Sequence, residues 1–86
     1  MPRIAEFYGI FIYMYFQDHE PAHFHAIYGG SEALVDIDSG RMRRGKLPPH
    51  AKRLVLDWLK LHRNELLDDW QRAQAGLPLN PIAPLE

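Results

Sequence analysis

An α+β fold, with a small antiparallel β-sheet of three to five strands packed against one long or bent C-terminal helix, is predicted by three features of the sequence. A ten-residue aromatic and β-branched run, FYGIFIYMYF, occupies positions 7–16. Two strand-like runs flank a Gly29-Gly30 pair. An apolar stripe at helical spacing then begins at Ala51 and continues to Ala73.

The first run is apolar on both alternating faces, which suits a strand covered on both sides, so the central strand is expected here. Gly9 marks a bulge or bend that lets Ile4 to Tyr8 change direction. The segment HFHAIYGGSEALVDID reads as a hairpin, because paired glycines supply the positive φ of tight turns. A two-residue Gly-Gly loop, or a four-residue loop from Tyr28 to Ser31, sets opposite each other residues whose numbers sum to 59, whereas a three-residue loop would break this parity. Phe24 then faces Val35 and Ala26 faces Ala33 on an apolar side, while His23 faces Asp36 and His25 faces Leu34 on the other.

After a turn at Asp38-Ser39-Gly40, RMRRGKL reads as a short, charged edge strand. Pro48-Pro49 fits a helix start, where proline's missing N–H is not needed. The stripe Ala51, Leu54, Val55, Trp58, Leu59, His62, Leu66, Trp70 and Ala73 predicts one helix, bent near Asn64, ending at Gly76 and packing on the Phe24/Ala26/Ala33/Val35 face. The division is therefore a single domain over 1–76 and an extended proline-rich tail over 77–86, lying on the domain or on a partner.

With 86 residues, 47% of them hydrophobic and 24% charged, the chain has room for one core and no second domain. A formal net charge of -1 gives no global field for nucleic acid, so such a partner requires a local patch. The absence of cysteine excludes disulfide and thiolate sites and fits a reducing cytoplasm. The N-terminus lacks the pattern of a signal peptide, and ten apolar residues are about half a membrane span, so no membrane partner is expected.

Three of the five histidines fall within QDHEPAHFHA. His23 and His25 share one strand face, and with His19 from the preceding loop they could bind a divalent transition metal, although the strict zinc signatures are missing. The competing chemistry is acid–base catalysis by His23 and His25, with His19 assisting and Asp36 orienting the His23 ring. Arg41, Arg43, Arg44 and Lys46 would then grip phosphate, a combination suited to RNA cleavage through the 2′-hydroxyl. The plainer alternative is a His19–Pro21 turn with two half-buried histidines beside it, and a basic run that is only a guarded sheet edge. His62 reads as a core histidine, His50 as a surface one. No phosphate loop or nucleotide-cofactor motif is present.

The stretches MPRIAEFYGIFIYMYFQDHEPAHFHAIYGG, GKLP and LVLDWLKLHRNELLDDWQRAQAG, with the core Met-Tyr-x-x-Asp-His-x-Pro-x-His-Phe-His, resemble the family of small bacterial proteins called domain of unknown function 4160. Ala22 stands where members usually carry a second proline. The family motif falls on Asp18, His19, Pro21, His23, Phe24 and His25, and on Gly45, Leu47, Pro48, Trp58, His62 and Leu66. The resemblance implies a toxin–antitoxin-like component encoded beside a small antitoxin-like protein. RNA and a second copy of the chain are further candidate partners. A non-enzymatic binding module, docking through the sheet edge and the tail, is the alternative from another class.

Overall fold

A computed structural model describes residues 3–86; Met1 and Pro2, where the expected domain begins, lie outside them. Five antiparallel strands form one sheet in the order β1-β2-β3-β4-β5, so each strand pairs with its neighbour in sequence. They are β1 (Arg3–Phe7), β2 (Ile10–Tyr13), β3 (His23–Tyr28), β4 (Ser31–Asp36) and β5 (Met42–Gly45), followed by α1 (Pro49–Gln74). The α+β expectation and the single C-terminal helix are met.

The β3–β4 hairpin has the expected register, from His23 opposite Asp36 to Tyr28 opposite Ser31. The 7–16 run differs from its expectation of one central strand. Tyr8 and Gly9, both at positive φ (51° and 77°), make a two-residue turn that splits the run into β1 and β2. Positive φ at both positions is the geometry that matches the twist of two hairpin strands. The central strand is instead β3, and β2 buries alternate residues, Ile10 and Ile12, so only one of its faces is fully covered.

That covered face carries Ile10, Ile12, Phe24, Ala26, Ala33 and Val35, all at most 1% exposed. The stripe of α1 closes over it, with Trp58 against Phe7 at 5.2 Å and against Phe24 at 5.8 Å between ring centroids. The helix starts at Pro49 and bends where expected to within two residues, at His62, whose φ and ψ (-124°, 21°) leave the helical range. Beyond the bend Arg63 Nε donates to the Ile37 carbonyl at 2.9 Å, tying the second half of the helix to the end of β4.

The tail lies on its own domain. Ile82 is 5% exposed and donates its N–H to the Ile4 carbonyl, and the Trp58 indole N–H donates to the Ala83 carbonyl at 2.8 Å. No described helix is long and apolar enough to cross a membrane.

Candidate functional site

Residues 14–22, which link β2 to β3, are fastened to the last turns of α1. Gln17 N–H donates to the Ala73 carbonyl at 3.2 Å, Gln74 Nε2 donates to the Asp18 carbonyl at 3.0 Å, and the Trp70 indole donates to Glu20 Oε2 at 3.2 Å. The Glu20–Pro21 bond within this loop is cis. These contacts hold the Asp18 side chain over the start of β3.

There, Asp18 Oδ2 lies 2.9 Å from His23 Nε2 and 3.8 Å from His25 Nε2. His23 is 3% exposed, packed against Trp70 with ring centroids 5.1 Å apart, and its Nδ1 lies 2.8 Å from the Pro21 carbonyl oxygen. A carbonyl only accepts, so Nδ1 carries the hydrogen. His25 Nδ1 lies 3.2 Å from Glu32 Oε2, and Tyr15 meets the His25 ring edge-on at 4.5 Å. The Nε2 atom of His25 is buried with no hydrogen-bond partner.

Burial raises the Asp18 carboxyl, but the His19 main-chain N–H, the hydrogen bond to His23 and the charge of both histidines outweigh it and bring the group below its ordinary value. The Tyr15 hydroxyl moves up, first through burial and then through the nearby Glu32, Tyr13 and Asp18. Asp18 is therefore held as the anion of the cluster.

His23 and His25 are brought together, as the register required. Asp36 stands opposite His23 in the backbone ladder, but its carboxylate accepts from Arg43 Nε, so Asp18 takes the orienting contact expected of Asp36. His19 is exposed, and only its main-chain N–H meets Asp18. Asp18 stands in the family motif but is not among the residues the sequence assigns to catalysis; its place one residue before His19 and five before His23 is the available signal.

Of the basic run, Arg44 pairs with Leu34, which pairs with His25, which pairs with Tyr13, so one cross-strand row holds an imidazole and a guanidinium on the same face. A hollow of about 310 Å³ opens there, lined by His25, Glu32, Leu34, Arg44 and Gly45. A neighbouring hollow is lined by Leu34, Arg41, Arg43 and Arg44. Lys46 is exposed and lines neither. Gly45 (φ 72°) leaves the close approach open, since a Cβ there would stand 2.0 Å from the Glu32 carbonyl oxygen. His62 is half-buried against Trp58 and bonded to Glu65 Oε1 at 2.6 Å, while the exposed His50 lies 3.1 Å from the Tyr28 hydroxyl.

Residues 9–71 match the family described as Domain of unknown function (DUF4160). The chain belongs to this family. The match spans the 14–22 loop, both histidines of β3, the basic edge and most of α1, so every residue of the candidate site falls inside it. No curated protein matches the chain, and no solved structure does.

Proposed function

We propose that the chain is the toxin-like half of a bacterial two-protein module, acting in the cytoplasm on RNA phosphodiesters at the hollow between His25 and Arg44. The observation that supports this reading is the row Tyr13–His25–Leu34–Arg44, which sets a cation beside the Asp18–His23–His25 corner on one open sheet face. Arg44 and Arg41 would hold the phosphate, and the corner would supply the group that takes the proton from the attacking 2′-hydroxyl. Arg43, engaged by Asp36, contributes less.

The test is growth and total RNA after induction of the wild-type chain, His25→Ala and Arg44→Ala at equal soluble expression. Arrest with RNA loss for wild type alone supports the reading. Arrest that survives His25→Ala sinks it.

A partner-binding module is the second reading. Phe11, Tyr13, Ile27 and Leu34 lie partly buried on the sheet face opposite α1, and their registers place them side by side. A small antitoxin-like protein seated there would be lost on Phe11→Glu. Because residues 82 and 83 are bonded into the domain, the tail is a weaker docking segment than this face.

A further inference from the structure

We infer that Asp18, His23 and His25 form a site for one divalent transition-metal ion, bound by Asp18 Oδ2, His23 Nε2 and His25 Nε2. One ligand atom from each residue lies within 4.8 Å of the other two. Metal bonds of about 2.0–2.2 Å place neighbouring ligand atoms roughly 2.9–3.6 Å apart in octahedral or tetrahedral geometry. The Asp18–His23 separation of 2.9 Å is already in that range, and the Asp18–His25 separation of 3.8 Å needs a shift of a few tenths of an ångström.

Both rings are turned the way metal-ligating histidines are turned. A ligating imidazole gives one nitrogen to the ion and donates its other N–H to a carbonyl or carboxylate, which fixes the tautomer. Here Nδ1 of His23 meets the Pro21 carbonyl and Nδ1 of His25 meets Glu32, so both Nε2 atoms are left facing Asp18.

Of those two Nε2 atoms, that of His23 has Asp18 Oδ2 as its hydrogen-bond partner at 2.9 Å, the same oxygen that faces His25. The His25 Nε2 is buried and unbonded, a condition that costs about 1–3 kcal/mol in a protein interior. One cation between the three atoms satisfies all of them.

Two imidazoles and one carboxylate suit zinc, iron, cobalt or nickel rather than calcium or magnesium, and three protein ligands leave positions open for water. His19, exposed in the same loop, is not among the residues whose ligand atoms converge. The site stands without the RNA reading. Combined with it, an ion held by Asp18, His23 and His25 would supply Lewis acidity beside the Arg44 hollow, while the three side chains themselves would serve as its ligands.

The probes are Zn²⁺ and Co²⁺, titrated calorimetrically into the chelator-stripped full chain, with visible absorption followed for Co²⁺. One equivalent should bind to wild type and to His19→Ala. Binding should be lost in Asp18→Asn and in His25→Gln, and weakened about 10–100-fold in Glu32→Gln, as for other partners of ligating histidines. Circular dichroism establishes that each variant is folded, and His25→Gln, altering the less buried ring, serves if Asp18→Asn is not. Absence of stoichiometric binding by wild type, or wild-type affinity in folded His25→Gln, overturns the site. Metal binding without growth arrest would keep the site and remove the RNA reading.

Discussion

Gln74 and Asp18 are 56 positions apart, yet the Gln74 side-chain amide donates to the Asp18 main-chain carbonyl at 3.0 Å. The end of α1 thereby positions the carboxylate that faces both histidines, so the corner depends on a helix whose sequence carries none of its chemistry.

Gln74→Ala should cost about 1 kcal/mol, the usual net worth of one such bond, while loosening residues 17–19 disproportionately. Amide hydrogen exchange of Gln17 and His19, whose N–H groups donate to Ala73 and Asp18, reads this directly. Protection equal to wild type at both amides would show that the loop is held by other contacts.

Gly45→Ala should destabilise by about 2 kcal/mol or more, because positive φ and a backbone clash act together. The new Cβ would meet the Glu32 carbonyl oxygen at 2.0 Å. Gly30→Ala is the control: nothing lies within 4 Å of a Cβ there and its φ is not in the left-handed region. Denaturant unfolding should separate the two variants clearly, and equal midpoints would contradict the packing argument.

Asp69 is 1% exposed; its Oδ1 accepts from the Asn80 N–H and its Oδ2 has no partner. Burial raises its pKa above the ordinary value, although the Asn80 N–H opposes the shift. The folded state therefore holds this proton more tightly than the unfolded one. The contribution is fully present below the unfolded value, near 4, and is lost as pH rises through the folded value. Asp69→Asn should gain on wild type progressively over that interval in unfolding experiments at stepped pH. A difference constant with pH would refute the assignment.

On the proposed action on RNA, Arg44→Ala should lower RNA affinity at all sequences and reduce the slope of log K against log salt by about 0.7, the value for one phosphate contact on a single strand. Arg43→Ala should change the slope less, since that side chain is engaged by Asp36. Fluorescence anisotropy across a salt series checks both, and an unchanged slope in Arg44→Ala would detach the basic edge from nucleic acid.

The parts of the fold legible in the sequence were those fixed by local chemistry. Gly29-Gly30 determined the hairpin register down to the His23–Asp36 pair, and the stripe from Ala51 to Ala73 determined the face of α1 that is buried. The bend at Gly9 was legible, but that Tyr8 joins it in a hairpin turn was hidden because tyrosine is not a turn former and the apolar run continues through it. Register also has a limit: it places Cα atoms opposite one another without deciding which side chains bond. Asp36 had a nearer cation in Arg43, and the acid that reaches His23 comes from a loop whose course depends on α1.

The strand order equal to the chain order has a kinetic meaning. Every ladder closes over a short connection, so the sheet has low contact order and can zip rapidly. The distant closures are those that join α1 to the 14–22 loop and the tail to β1. Assembly should therefore end at the Asp18 corner, where a nearly complete sheet waits for the last turn of the helix to bring the carboxylate over its histidines.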